Sequence, residues 1–148
     1  PARPHDSSGA GGPARPHDSS GAGGDAYEEL LAILRPLKKE HGEKLRGNVH
    51  FFAGNVDIAQ RFFEIGFTIS FTGVITFTHD YDEVIKSAPL HMIMSETDSP
   101  YVTPVPYRGK RNEPAYTSEV VKRIAEIRVE DPELVRRTLV NNALSMIG

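Results

Sequence analysis

His91-Met92-Ile93-Met94-Ser95-Glu96-Thr97-Asp98 is an apolar run that ends in two carboxylates. Ser99-Pro100-Tyr101 stops it, and a basic, proline-broken loop from Pro104 to Pro114 follows. A buried strand with acids at its carboxyl end is where α/β barrels and open α/β sheets place their chemistry. A carboxylate there, beside a cationic loop, points to a metal-assisted site for a phosphate-bearing substrate.

Upstream of this strand, period and punctuation predict alternating elements. Asp25 is a helix N-cap with Glu28 three residues on, a capping-box pattern. Leu30, Leu31, Ile33, Leu34 and Leu37 carry helical spacing to about Glu40, with Pro36 a point of bending. Asn48 to Phe52 reads as a short strand, and Val56 to Ile65 as a helix closed by Gly66. Phe67 to Phe71 is the next strand, Asp80 to Ser87 a short helix, and Pro89 to Thr97 the third strand. Two helices close the chain, Thr117 to Arg128 and Pro132 to Ile147, the second opened by Asp131 with proline at its first position. Strands alternating with helices imply an α/β fold with a parallel sheet and right-handed crossovers. Three or four strands do not close a barrel; the expectation is part of one.

With 148 residues there is room for one domain at most. Residues 1–12 recur identically at 13–24 and contain no Leu, Ile, Val, Phe or Met, so this Gly/Pro/Ser-rich tandem repeat is expected to be disordered and looks artefactual. The folded domain is therefore expected over 25–148. The net charge of −3 gives no global attraction to nucleic acid, so such binding needs a local basic patch. With no cysteine, disulfides, zinc–thiolate sites and thiol nucleophiles are excluded. No apolar run reaches the length of a membrane span and no signal peptide opens the chain, so a cytoplasmic location is the default.

Several ordered motifs resemble the TatD family of metal-dependent deoxyribonucleases, within the amidohydrolase-like (β/α)8 barrels. Val49-His50-Phe51-Phe52-Ala53-Gly54 resembles the family's H-C-F-S-G strand end, and Gly66 to Gly73 its G-x-x-I-S-x-x-G strand. Glu96 to Tyr101 resembles E-T-D-A-P-Y, Pro106 to Pro114 a loop ending in R-N-E-P, and the segment from Asn141 the closing N-A-x-x-x-F-G. The resemblance covers 25–148 and implies the C-terminal portion of a TIM-type barrel. It also implies a hydrolase that cleaves DNA phosphodiesters with metal-activated water. The family's ligands come from an H-x-H first strand, a middle-strand Glu, a fifth-strand His, a sixth-strand His and an eighth-strand Asp. Only the last two have counterparts, His50 and Asp98. Gly23-Gly24 stand where the fifth-strand His-x-Arg would be, and His17 is not assigned that role. The barrel's first half is thus expected to be absent, and the isolated chain to be inactive.

On this resemblance His50 and Asp98 are metal ligands, and Asp98 is the catalytic base that takes a proton from water. The plainer alternatives are a satisfied strand-end histidine and a turn-capping aspartate. Two protein donors are few for a divalent ion, Mg²⁺ first, with Mn²⁺ or Zn²⁺ as alternatives. Glu96, Asn112 and Glu113 read as groups that orient ligands and loop; Glu96 shares a strand side with Asp98. Arg108, Lys110 and Arg111 read as phosphate-positioning cations, or as a solvated charge run, or as a loop locked by an Arg111–Glu113 pair. Tyr101 and Tyr107 are packing residues before they are base-stacking ones. All seven phenylalanines lie between 51 and 77 and are assigned to the core, some of them facing water if strands are missing. His79, Asp80 and Asp82 are read as a helix N-cap. DNA is the expected substrate. A catalytically inactive half-barrel that pairs with another chain or a second copy, or is a truncated gene product, is the alternative.

Overall fold

A computed structural model describes the backbone of residues 22–147 and the side chains of residues 26–147. The first 21 residues of the tandem repeat, and so most of the segment expected to be disordered, lie outside the described residues. The order is α1 (Ala22–His41), β1 (Gly47–Val49), α2 (Val56–Glu64), β2 (Phe67–Phe71), α3 (Asp82–Ser87), β3 (Ile93–Ser95), α4 (Thr117–Arg128) and α5 (Pro132–Ile147). The strands form a parallel sheet in the order β1-β2-β3, with Val49 opposite Ile69 and Ile69 opposite Ile93. This is the α/β arrangement that the sequence predicts.

Side-chain alternation divides the sheet into two faces. Val49, Phe67, Ile69, Phe71 and Ile93 are buried and form one core with Phe52, Ile58, Phe62, Ile85, Ile124 and Val135 from the surrounding segments. The rings of Phe52 and Phe71 meet edge to face at 6.4 Å, and Tyr27 of α1 stacks on Phe52 at 5.5 Å. The opposite face carries Asn48, Thr68, Ser70 and Met94, which are polar or half-buried.

Helix ends follow local chemistry. Asn55 caps α2 by accepting the Ile58 N–H at 3.0 Å, and Gly66 takes φ +77° just past its end. Asp131 accepts the Leu134 N–H at 3.2 Å and so opens α5. Asn142 donates to the carbonyls of Leu90 and Ile93 at 2.9 and 2.8 Å, pinning α5 to the entry of β3. Arg128 of α4 donates to the Ile85 and Ala88 carbonyls, both at 2.7 Å, which fastens the end of α3. Arg61 of α2 pairs with Glu28 of α1 through both guanidinium amines. That hydrogen bond holds the Glu28 carboxyl below its ordinary 4.5.

Three expectations need correction. The backbone of α1 begins at Ala22, so Asp25 lies inside the helix and not at the expected N-cap position. Glu28 is drawn instead to Arg61. The strand expected over Pro89 to Thr97 is only Ile93–Ser95, because Pro89 starts a tight turn in which its carbonyl accepts the Met92 N–H at 2.8 Å. The first strand likewise ends at Val49 and the chain leaves the sheet at Phe51, whose φ is +49°. The phenylalanines are buried or half-buried except Phe77, which is 44% exposed. Exposed apolar residues on the first and last helices include Leu30, Ile33 and Leu37 on α1, and Leu134, Val140, Leu144 and Ile147 on α5. Among the described residues no helix is long and apolar enough to cross a membrane.

Candidate functional site

The three strands deliver their carboxyl ends to one edge of the sheet, where β1 ends near His50 and β3 near Glu96 and Asp98. His50 follows β1 and its side chain is 60% exposed. Its Nδ1 touches the Glu96 carboxylate (Oε2), and its Nε2 stands 3.5 Å from Asp98 Oδ1. Glu96 is held in turn: its Oε1 accepts the Phe51 N–H at 2.7 Å and the Ser70 hydroxyl. The Glu96 N–H donates to the Phe71 carbonyl at 3.0 Å, continuing the β2–β3 pairing one residue past the strand.

Asp98 has φ +55°, so β3 has already ended and strict strand alternation does not bring it to the side of Glu96. The turn does. The Asp98 carbonyl accepts the Tyr101 N–H at 2.9 Å. Asn112 is 2% exposed, and its amide donates to Thr97 O at 2.7 Å and Tyr101 O at 2.6 Å. Its own N–H donates to Pro100 O at 3.1 Å. One buried side chain thus ties down both flanks of the turn that carries Asp98. The following chain seats on β2's exit at Gly73, where a Cβ would lie 2.3 Å from Val102 O. Only glycine permits that approach. Thr76 secures the same contact by accepting the Val105 N–H at 2.9 Å.

The remaining residues separate. Arg108 is exposed, but its guanidinium lies 4.0 Å from the Phe77 ring centroid and donates to Thr103 O at 2.9 Å. Those contacts brace the loop. Lys110 and Arg111 are exposed and form no ion pair among the described residues, so the expected alternative of an Arg111–Glu113 lock does not form. Glu113 is exposed; its N–H donates to Asn112 Oδ1 at 2.9 Å, but its carboxylate is not brought to the His50 cluster. Tyr107 stacks on Tyr116 at 4.1 Å, while Tyr101 is 71% exposed. His79 and Asp82 do not cap α3, which has Tyr81 at its N-cap position with no side-chain bond. They form a cluster with Arg123 of α4, at 3.0 Å for His79 Nδ1 to Asp82 Oδ2 and 3.2 Å for Arg123 Nη2 to His79 Nδ1.

The donor set has the right character for a divalent cation. An imidazole nitrogen and a carboxylate oxygen 3.5 Å apart can share one ion at about 2.1 Å from each. A carboxylate on the other ring nitrogen is the usual support for a metal-binding histidine. Those two positions fit. Among the described residues no group of three or more His, Asp or Glu is arranged to hold a metal. Ser70 and Asn48 are absent from the residues singled out by the sequence reading. Their signal was a polar side chain alternating with Val49, Ile69 and Phe71 along otherwise apolar strands.

A family model described as TatD related DNase matches residues 17–148. An uncharacterized metal-dependent hydrolase of Bacillus subtilis (strain 168), YabD, is 37% identical over 121 residues, covering 80% of this chain and 46% of the relative. Another, YcfH of Escherichia coli (strain K12), is 37% identical over 122 residues, covering 80% of this chain and 45% of the relative. The chain spans about half the length of the curated relatives it matches. The crystal structure of YJJV, a TatD homolog from Escherichia coli K12, superposes with a TM-score of 0.69 at 28% identity, covering 79% of this chain and 44% of that one. A TatD family hydrolase from Entamoeba histolytica shares the fold, with a TM-score of 0.65 at 22% identity over 80% of this chain and 48% of that one. The fold is TatD-like, of the TIM-barrel type, with a parallel sheet. The family match runs through the whole described sheet, His50, Asp98 and both closing helices, and the chain belongs to the TatD related DNase family.

Proposed function

We propose that this chain supplies part of the active site of a metal-dependent hydrolase that cleaves DNA phosphodiester bonds. The observation that carries the reading is the convergence of His50 Nε2 and Asp98 Oδ1 to 3.5 Å at the carboxyl edge of a parallel sheet. These two atoms would hold one divalent cation, Mg²⁺ in the first instance. When bound, the ion would lower the pKa of a water and stabilise charge on a phosphoryl oxygen. Asp98 accepts the proton from the attacking water. Glu96 keeps the imidazole ring turned toward Asp98, and Asn112 keeps the Asp98 turn in place. Lys110 and Arg111 bind phosphate oxygens of the substrate, while Arg108 braces their loop on Phe77. The polar sheet face of Asn48, Thr68 and Ser70 lines the interior of the completed barrel. A cytoplasmic place of action goes with this reading.

The test is DNA hydrolysis with Mg²⁺, Mn²⁺ or Zn²⁺, by the chain alone and mixed with a chain carrying the other strands of a TatD barrel. The expected result is no hydrolysis alone, and metal-dependent hydrolysis in the mixture that Asp98→Asn removes. Hydrolysis that survives Asp98→Asn and His50→Ala together would sink the proposal.

A second reading is favoured by the exposed apolar residues of α1 and α5, with Ile33 60%, Leu144 61% and Ile147 85% exposed. On it the chain is a non-catalytic half that pairs with a complementary half-barrel or with a second copy. Sedimentation across a concentration series separates the two partners. Self-association that Ile33→Glu or Leu144→Glu abolishes supports the second copy, and a monomer at every concentration removes it.

A further inference from the structure

We infer that Ser70 and Asn48 are positioning residues for His50, links of a hydrogen-bond chain that runs between β1 and β2 to Glu96 just past β3 and presents Nε2 as a bare lone pair. The inference deepens the metal-site reading above, and rests on it for the purpose the lone pair serves. The geometry itself does not depend on any metal.

The chain starts on β2. The Thr68 hydroxyl donates to Asn48 Oδ1 at 2.9 Å; its other acceptors, Met94 Sδ and Gly47 O, stand farther off at 3.3 and 3.4 Å. The Asn48 amide on β1 donates back to Ser70 Oγ at 2.7 Å. Ser70 is 1% exposed, so no solvent competes for its hydroxyl. Having accepted from Asn48, that hydroxyl gives its one proton to Glu96 Oε1, since the alternative acceptor, Val49 O, is 3.3 Å away. Oε1 also receives the Phe51 N–H. Backbone N–H cannot reverse its role, and a serine hydroxyl has only one proton to give. Glu96 is therefore an acceptor on this side, and its Oε2 meets His50 Nδ1 as an acceptor as well. Each ring nitrogen faces a carboxylate, and Glu96 is nearer to Nδ1 than Asp98 is to Nε2; in the neutral ring the single proton therefore sits on Nδ1, which leaves Nε2 unprotonated 3.5 Å from Asp98 Oδ1.

The consequence is directional. An amide flip at Asn48, or loss of the Ser70 hydroxyl, frees Oε1 of a donor and lets the Glu96 carboxylate rotate away from Nδ1. Then the ring can carry its proton on Nε2, the atom that would have to bind a cation. Neither Ser70 nor Asn48 touches Asp98, the cation position or the basic loop, so both act through Glu96 and His50.

The tautomer of His50 can be read by long-range ¹⁵N–¹H NMR of the imidazole in the metal-free full chain at one fixed pH above histidine titration. The expected wild-type spectrum shows the Nδ1–H form. Ser70→Ala should lower the ratio of Nδ1–H to Nε2–H roughly tenfold, as the loss of one charge-assisted hydrogen bond implies, and Asn48→Ala, which removes only the neutral bond that orients the Ser70 hydroxyl, should lower it about threefold. Thr68→Val, one link farther away, should lower it less. Asn48 is only half-buried, so its alanine variant keeps the measurement open if Ser70→Ala disturbs packing. A wild-type ring protonated on Nε2 overturns the inference, and so does an unchanged ratio in Asn48→Ala with native circular dichroism. Because no metal or substrate enters this measurement, its failure leaves the hydrolase reading standing. A correct tautomer with no metal binding would do the reverse.

Discussion

Ser70 and Phe71 are chain neighbours on the central strand, and they belong to different machines. Phe71 is 1% exposed within the apolar layer between the sheet and its helices. Ser70 is equally inaccessible, yet its contacts are Asn48, Val49 O and Glu96. One face of the sheet holds the fold together through area removed from water, while the other arranges hydrogen bonds. Burial alone therefore says little about what a residue of this sheet is for. The partner atoms decide it.

The sharpest break of this comparison is a pair of single substitutions. Phe71→Ala should cost about 3–5 kcal/mol of stability in urea denaturation, from lost transfer energy and a cavity against Phe52. Ser70→Ala should cost about 1 kcal/mol in the same assay, one net hydrogen bond. Equal losses would mean that the polar face is structural and the division is wrong.

Asn112 and Glu113 form a second neighbouring pair, in the loop rather than the sheet. Asn112→Ala removes a buried amide that donates to the carbonyls of Thr97 and Tyr101 and should cost about 1–3 kcal/mol. Hydrogen exchange at the Tyr101 amide, which reports the Asp98 turn, should accelerate with it. Glu113→Ala should stay within about 0.5 kcal/mol, since its exposed carboxylate makes no contact at the site. If Glu113→Ala proved the more damaging, the loop would owe its shape to charge and not to the buried amide.

The smallest effect lies outside both faces, at the α1–α2 tie. The hydrogen bond from Arg61 lowers the Glu28 carboxyl below 4.5 in the folded chain. A depressed folded value means that the contribution is complete above the ordinary value and is lost as pH falls through the folded one. The small advantage of wild type over Glu28→Gln should thus hold at neutral pH and vanish in acid, as followed by thermal melts across that range. An advantage that persisted below the folded value would place the effect in packing.

These contrasts also explain how much could be read in advance. Local signals were legible: Asn55 before α2, Asp131-Pro132 before α5, and the alternation of helix with strand each act within a few residues. Asp98 stood out at the end of an apolar run, and His50 through the motif that resembles the family's H-C-F-S-G. What could not be read was pairing at long range. Glu96 reaches the His50 ring from 46 positions away. Ser70 meets Asn48 only because β1 and β2 adopt one particular register. Arg108 looked like a free cation until Phe77, 31 residues earlier, came beneath it. The third strand was overextended because hydrophobic content hides the turn that Pro89 starts. In α1 the capping residue lost to extension of the helix, and Glu28 was claimed by a different helix altogether.

The backbone at Asp98 carries a consequence for evolutionary comparison. Its φ of +55° is one that, glycine aside, asparagine and aspartate tolerate best. Chemistry and stereochemistry therefore select nearly the same short list of residues at this position. An aspartate that persists there across many sequences is doubly determined, and its persistence would not by itself separate a working enzyme from a descendant that has lost its activity. Drift should show first at His50, in ordinary backbone just before the left-handed Phe51, where nothing but the chemistry asks for an imidazole.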